Sequence, residues 1–504
     1  MKIQSALISV YHKNGLNEVL ELLTQLGVKI YSTGGTYDHI QQLGFEAVAV
    51  EEVTDYPSIL GGRVKTLHPK IFGGILARRD NSSDLDQLIE YEIPTIDLVI
   101  VDLYPFEQTV RETKDENEII EKIDIGGISL IRAAAKNFHH TLVIASQEDY
   151  DPLIQILKEK NGEIDTETRL HFAARAFHIS SHYDSAIFNY FMRNEEPKAF
   201  KQSVFPAKKL RYGENPHQQG FFFGSLDEIF DQLNGKEISY NNLVDVDSAI
   251  NLIDEFEKPT FVVIKHTNAC GVASREKLSD AWKDALAGDP VSAFGGVIGT
   301  NKKIDPATAE ELNKLFFEII IAPDFEENAL TVLKSKKNRI ILKRKSSNKQ
   351  INQFKSILNG VISQDADLKT ETAGDLKCVT TKQPSPNEMN DLLFALKCVK
   401  HLKSNTITLV KNEQLLSMGC GQTSRVDALK QAITKAKDFG FDLHGSVMSS
   451  DAFFPFPDCV EIAHQAGVTA VVEPGGSLKD QDSIDVCNKN GMVMMFTGMR
   501  HFKH

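Results

Sequence analysis

Between positions 59 and 69 the chain reads Ile-Leu-Gly-Gly-Arg-Val-Lys-Thr-Leu-His-Pro, which puts Gly61, Gly62, Arg63, Val64, Lys65, Thr66 and His68 in one run without helical or strand period. Such a run builds a core poorly. It suits a loop whose backbone approaches an anion while two cations point at it. A solvated basic turn is the plainer reading of this run taken alone. A second cation-and-glycine segment weighs against it, running from Asp124 through Ile125, Gly126 and Gly127 to Arg132 and Lys136. Thr33, Gly34, Gly35 and Thr36 add unblocked backbone N–H groups and hydroxyls where a helix should begin, a phosphate site on physical grounds. Tyr104 stands before a proline at an expected strand end, where its phenol can donate into the same crevice. Together Lys65, Tyr104, Asp124 and Lys136 offer cations for a developing oxyanion and groups that shuttle protons. That set suits addition to a carbonyl followed by loss of water, with no metal required.

The second half carries its own chemistry. An apolar run, 261–264, leads straight into Lys265 and His266, where a neighbouring ammonium disfavours the imidazolium and keeps a base available. A Lys-His pair at a strand end is more often structural, but Asn268 and Gly271 favour a tight polar loop here. Arg211 beside Tyr212, in a turn-rich stretch, could clamp a phosphorylated base. Gly419 and Gly421 precede Arg425 and a helix striped by Val426, Leu429 and Ile433; Ser424 with Asp427 reads as its capping box. Phe453, Phe454 and Phe456 share one irregular, proline-containing stretch that ends at Asp458. An exposed apolar loop of that kind needs covering by core, a partner subunit or a flat ligand ring.

These residues have to be positioned by alternating elements. Strands are expected at 6–10, 29–32, 97–103 and 141–145. Between the first two, Leu16, Val19, Leu20, Leu23 and Leu26 fall on one helical face, and Ile40 and Leu43 mark a second helix. Alternation of this kind implies a parallel sheet with helices on both faces. Ligands of such sheets sit beyond the C-terminal strand ends. Tyr11, His12 and Lys13, the 33–36 turn, Tyr104 and the loop before Asp124 all fall there. The pattern lapses around 194–198, which divides the chain into 1–197 and 198–504. Further strands are expected at 260–264, 406–410, 468–472 and 492–496. The lysine-rich stretch 334–349 reads as a solvated loop or hairpin rather than a nucleic-acid site.

At 504 residues the chain exceeds one hydrophobic core, so at least two domains are expected. A net charge of −13 argues against a nucleic-acid or membrane-surface binder. All six cysteines lie in the second half and none forms a Cys-x-x-Cys pair, which fits reduced thiols and gives no zinc spacing. No apolar run is long enough for a signal peptide or a membrane span. A cytoplasmic location is expected.

The motifs S-V-x-x-K, S-T-G-G-T, G-G-R-V-K-T-L-H-P, L-Y-P-F and D-I-G-G-x-x-L-x-R-A-A-A-K-N occur in order. They resemble the IMP cyclohydrolase domain of the PurH family of bifunctional purine-biosynthesis enzymes, and the second-half segments resemble that family's transformylase domain. The resemblance covers nearly the whole chain. It implies an α/β fold with a methylglyoxal-synthase-like parallel-sheet domain at 1–197 and two cytidine-deaminase-like α/β subdomains, without zinc, at 198–504. It also implies formyl transfer from 10-formyltetrahydrofolate to the aminoimidazole carboxamide ribotide AICAR, then dehydrative closure of the formylated product FAICAR to IMP.

Carried over motif by motif, Lys65, Tyr104, Asp124 and Lys136 would close the ring. Tyr11, His12, Lys13, Thr33, Gly34, Gly35, Thr36, Arg63, Val64, Thr66, Ile125 and Gly126 would hold the nucleotide. His266 would be the base of formyl transfer, with Lys265 and Asn405 assisting at the formyl group. Arg211, Tyr212, Gly295, Glu318, Phe453, Asp458 and Arg500 would bind the ribotide, while Arg425, Val426 and Ser477 meet its ligands, Val426 nearer the folate. A homodimer with composite transformylase sites is implied, and the resemblance allows a potassium ion whose ligands no motif locates. His501 and His504 resemble a metal pair, yet R-H-F-x-H is how the family commonly ends. Two departures border the nucleotide site: His12 stands where relatives often have Asp, and Asp102 where they often have Asn. Two other readings remain: an enzyme with one surviving activity, and a non-catalytic ribotide sensor, which would not need Lys136, Lys265 and His266.

Overall fold

Short apolar runs bounded by turn residues become buried strands in the first part of the chain: β1 (Ser5–Ser9), β2 (Lys29–Ser32), β3 (Val48–Ala49), β4 (Leu98–Val101) and β5 (Leu142–Ile144). The computed structural model describes residues 1–345 and 351–504, and they divide into two units, Met1–Ser203 and Val204–His504. In the first unit the strands pair in the order β3-β2-β1-β4-β5, all parallel. Side chains alternate between the two faces. Ile8, Ile30, Ile100 and Ile144 meet the helix Leu16–Gln25 through Leu16, Val19, Leu20 and Leu23. Leu7, Tyr31, Val99 and Val143 meet the helix Gly126–Lys136 through Leu130, Ile131 and Ala134. All four strands expected here are present, with ends trimmed by a few residues. Leu43 stands outside the pattern, half-exposed just beyond the helix Gly34–Gln42.

In the second unit β6 (Ala207–Lys209) and β7 (Phe221–Phe223) form a small ribbon. The strands that follow are β8 (Phe230–Asn234), β9 (Thr260–Lys265), β10 (Asn268–Ser274), β11 (Val297–Thr300), β12 (Ile319–Ala322) and β13 (Ile340–Arg344). After the separate hairpin β14 (Asn352–Ile357) and β15 (Gly360–Asp365) come β16 (Lys377–Cys378), β17 (Ile407–Lys411), β18 (Gln414–Gly419), β19 (Val447–Ser450), β20 (Ala470–Glu473) and β21 (Val493–Phe496). One 12-stranded sheet takes them in the order β16-β21-β20-β19-β17-β18-β10-β9-β11-β12-β13-β8. Its halves mirror one another. The hairpins β9–β10 and β17–β18 meet at the centre, each is followed outward by three mutually parallel strands, and an antiparallel edge strand closes each side. The repeat lies in topology rather than in short sequence periods. The four strands expected in this half are all found, each shifted by no more than two residues at an end.

The basic stretch 334–349 needs a correction. Lys334 ends the helix Glu327–Lys334, and 335–338 are the exposed turn that was expected, but Arg339 is buried over the Phe317 ring at 4.2 Å and the interior strand β13 follows. Apolar Ile340, Ile341 and Leu342 draw it into the core. Residues 346–349 of that stretch lie outside the described residues. Among the described residues no helix is long and apolar enough to cross a membrane.

Candidate active sites

In the first unit the loops beyond the C-terminal ends of β1, β2 and β4 converge. Lys13 folds back, its Nζ donating to Val10 O and, at 2.9 Å, to Thr36 Oγ1. Burial lowers the pKa of Lys13 while Asp102 pulls it up. Gly34 begins its helix at φ 52° and lies against Lys65: a Cβ built on Gly34 would stand 2.7 Å from Lys65 Nζ. Gly62 touches the same side chain, and both glycines hold φ values, 52° and 91°, that residues with a Cβ rarely adopt, while a Cβ on either would push the ammonium end of Lys65 aside. Thr66 lies against Gly126, its Oγ1 3.3 Å from where a Cβ would be. Lys65 and Thr66 thus join the 33–36 turn to the start of the helix Gly126–Lys136.

Asp124 caps that junction. Its carboxylate accepts the Gly127 N–H at 2.6 Å and the backbone N–H of Tyr104. Burial raises its pKa, the two N–H groups oppose that, and the nearby Asp102 carboxylate adds to the rise. The Tyr104 phenol is raised as well, by burial first and then by Asp124. Tyr104 and Tyr11 pack edge to face at 5.5 Å, and the Lys122 ammonium lies over both rings. Tyr183 steadies the loop, accepting the Asp124 N–H at 2.9 Å and donating to Lys122 O. Nothing in the sequence marked Lys122 or Tyr183, because their roles depend on a helix far along the chain.

Not every expected residue joins this cluster. Arg63 is exposed and ion-paired with Glu121. Val64 closes the 59–69 loop by an isolated bridge to Ile59, and Ile125 is exposed. Lys136 ends the helix that Asp124 and Gly126 begin, about 15 Å away along its axis, and it is exposed. The sequence reading grouped Lys136 with Lys65, Tyr104 and Asp124. Within one chain the structure separates it from them.

In the second unit Lys265 ends β9, donates from Nζ to Phe294 O at 2.8 Å and lies beside Gly295. His266 and Thr267 have φ of 50° and 64°, the tight turn into β10. Asp245 holds that turn by accepting the Thr267 N–H at 2.7 Å. Asn268 is its bridge: its Nδ2 donates to His266 O at 2.9 Å and its Oδ1 accepts the Lys403 N–H at 3.2 Å. This ties the Lys265–His266 turn to the 403–405 segment, where Asn405 Nδ2 donates to Gln422 O at 3.1 Å. Glu318 is ion-paired with Lys236 at 2.6 Å.

Beyond that segment, Arg425 and Arg500 both lie over the Phe502 ring, at 5.7 and 4.3 Å. Arg425 also reaches buried Asp451 at 3.4 Å, and Val426 packs its helix onto the core. Of the three phenylalanines, core takes only Phe454; Phe453 and Phe456 stay exposed. The Phe454 N–H donates at 2.9 Å to Glu473, a wholly buried carboxyl whose pKa burial pushes up to about 8. Asp458 starts the helix Asp458–Ala466, and Ser477 donates its N–H to Asp480. Arg211 stacks on Tyr212 at 4.7 Å, and Arg211 stays exposed. Ser424 caps its helix by accepting the Asp427 N–H, but its hydroxyl rather than its backbone N–H meets the Asp427 carboxylate, so only the forward half of the expected capping box forms.

The family model described as "AICARFT/IMPCHase bienzyme" matches residues 134–435, and that for the MGS-like domain matches 15–129. The bifunctional purine biosynthesis protein PurH of Bacteroides thetaiotaomicron is 61% identical over 503 residues, covering 100% of this chain and 99% of that protein. PurH of Caldicellulosiruptor bescii is 47% identical over 514 residues, covering 99% of each. PurH of Aquifex aeolicus is 45% identical over 509 residues, covering 99% of this chain and 100% of that protein.

Proposed function

The chain belongs to the AICARFT/IMPCHase bienzyme family, and we propose that its two halves divide the family's two reactions between them. The protein is a bifunctional purine-biosynthesis enzyme that formylates AICAR with a folate co-substrate and closes FAICAR to IMP. We assign cyclisation to residues 1–197 and formyl transfer to 198–504, with 10-formyltetrahydrofolate as the donor.

The observation that carries the first assignment is the convergence of Lys65, Tyr104 and Asp124 on one strand-end crevice beside the 33–36 turn. Ring closure needs the carboxamide nitrogen to attack the formyl carbon and lose one proton; the resulting hydroxyl then leaves as water while the formamide nitrogen gives up its proton and forms the C=N bond. Thr33, Gly34, Gly35 and Thr36 would take the phosphate, with Lys13 behind them. Lys65 would stabilise the oxygen as it gains charge. Asp124, with a raised pKa, is suited to take a proton from the attacking nitrogen, and Tyr104 to deliver one to the departing oxygen. Lys136 receives no step within one chain.

Formyl transfer is harder, because the lone pair of the AICAR amine is delocalised into its ring. His266 would remove the amine proton as nitrogen attacks the formyl carbon. Lys265 and Asn405 would stabilise the tetrahedral oxyanion, which collapses as the folate nitrogen leaves with a proton. Arg425 and Arg500, together on Phe502, are placed to receive an anionic ligand. Potassium would take carbonyl and hydroxyl oxygens rather than an acidic cluster. Among the described residues no group of three or more His, Cys, Asp or Glu could hold a metal, and no step here runs through one.

A homodimer is supported by β14–β15. Among the described residues this hairpin pairs with no other strand, and Ile357, Leu358, Val361 and Ile362 are all exposed. A lone two-stranded ribbon is marginal in water, so a second copy is its natural cover. Supplying AICAR and 10-formyltetrahydrofolate and separating the products tests the whole assignment. IMP is expected; FAICAR alone would remove cyclisation, and no turnover would remove both.

A further inference from the structure

Residues 500–504 form no helix or strand, yet they carry Arg500 and Phe502 to the Arg425 cluster. A tail outside any strand ladder keeps its place through a few separate fastenings of backbone and side chain. The most buried of its side chains is that of His501, 3% exposed. Its Nδ1 lies 2.5 Å from Asp367 Oδ2 and its Nε2 2.7 Å from Glu371 Oε1, while its backbone N–H donates to Asp451 O at 3.1 Å. A ring whose two nitrogens both face carboxylates is served best as an imidazolium, donating twice. Burial alone would lower its pKa, but the two carboxylates override that and lift it to about 9.

The anchor is itself held. Lys400, almost fully buried, donates to Glu255 at 2.9 Å and to Lys369 O at 2.7 Å, and Thr370 hydrogen-bonds Glu255. The segment carrying Asp367 and Glu371 is thereby fixed to the core. On the other side of His501, Lys503 and Ser404 exchange two hydrogen bonds, Ser404 N to Lys503 O at 3.0 Å and Lys503 N to Ser404 Oγ at 3.1 Å. Ser404 precedes Asn405, whose backbone and side chain both bond to Gln422. One fastening therefore bears on both the Asn405 side and the Arg425–Arg500 side of the site.

We propose that His501 is a positioning residue for formyl transfer, clamped between Asp367 and Glu371 so that the C-terminal tail sets Arg500 and Phe502 against Arg425 and braces Ser404 next to Asn405. This rests on reading Asn405 and Arg500 as parts of the transformylase site. A displacement of about 1 Å at reacting groups can cost on the order of 100-fold in rate, so a clamp remote from the chemistry can matter.

The test uses the full chain and measures formyl transfer and cyclisation of supplied FAICAR in the same preparations. His501→Leu removes the charge, whereas His501→Lys keeps a cation between the carboxylates. For His501→Leu, formyl-transfer kcat/KM is expected to fall about 10–100-fold. The KM for AICAR should rise while that for the formyl donor stays within about twofold, and His501→Lys should restore most of the loss. Cyclisation should stay unchanged. Unaltered formyl transfer in His501→Leu, or a lysine variant no better than leucine, overturns the proposal. If His501→Leu fails to fold, Glu371→Gln with Asp367→Asn loosens the same clamp, and unchanged kinetics there overturn it as well. Asn405→Ala separates the two readings. Full turnover in that variant sinks the site assignment, whereas its loss beside normal His501 variants sinks this inference alone.

Discussion

His12 and Asp102 are hydrogen-bonded to each other, ring Nδ1 to carboxylate Oδ2 at 2.6 Å. Asp102 also accepts the backbone N–H groups of Tyr11 and His12, so it orders the loop that follows β1. These are the two positions at which the family resemblance leads to Asp and Asn instead, and in this chain one ring donor faces one carboxylate. His12→Asp alone would set two carboxylates against each other and should lower cyclisation about tenfold or more. His12→Asp with Asp102→Asn should recover most of it, a coupling of about 1–3 kcal/mol in a double-mutant cycle. Additive losses would show that the two positions act separately.

Gly34 leaves the space that Lys65 occupies. In Gly34→Ala a methyl group would stand 2.7 Å from the ammonium, on a backbone at φ 52° that alanine adopts poorly. Cyclisation should fall about tenfold or more while formyl transfer stays within about twofold. Lys65→Ala should go further and let FAICAR accumulate from AICAR, beyond which only the uncatalysed background remains. Rapid IMP formation by Lys65→Ala, read by chromatography, would take Lys65 out of the mechanism, and by Gly34→Ala would show that its ammonium does not depend on the space beside Gly34.

Periodicity carried the strands and motif order carried the crevices, because both are local properties of sequence. Leu16, Val19, Leu20 and Leu23 announce their buried face by spacing alone, and Gly34 and Gly62 announce a close approach. Which partner approaches is a tertiary fact, so Lys65 had to be seen. Lys136 shows the limit most plainly. Its motif put it in one segment with Asp124 and Gly126, yet its distance from them follows from helix length, and a shared segment is not a shared end. Asp451 and Glu473 carry no mark in the sequence, and Asn268 is marked only as part of a tight polar loop; Arg425, Phe454 and Lys403, which meet them, come from other segments of the chain. Lysines at 334–345 masked the apolar triplet that made β13 a core strand.

His266 should be dispensable for ring closure. In His266→Ala formyl transfer is expected to fall at least 100-fold, while supplied FAICAR is still converted to IMP at close to the normal rate. The turn is held by Asp245 and Asn268 through the Thr267 N–H and His266 O, neither of which needs the imidazole, so the variant should fold. Equal loss of both activities in a folded variant would contradict separate sites.

Glu473 gives a stability signature with a definite sign. Its carboxyl is wholly buried, one oxygen accepts the Phe454 N–H, the other has no hydrogen-bond partner among the described residues, and its pKa stands near 8 rather than in the carboxylate range. Burial is the main cause; backbone N–H groups and Arg425 offset it only in part. Between the unfolded pKa and 8 the folded chain therefore binds the extra proton, so the Glu473 contribution to stability falls as pH rises through that window. Glu473→Gln mimics the protonated acid and removes the linkage. Thermal unfolding of the variant should vary less between pH 5 and about pH 8, with a gain of about 1–3 kcal/mol over the parent at the upper end. A parent protein that grows more stable across that window, or a variant with the same slope, would mean that Glu473 is ionised in the folded chain and that Arg425 is its partner.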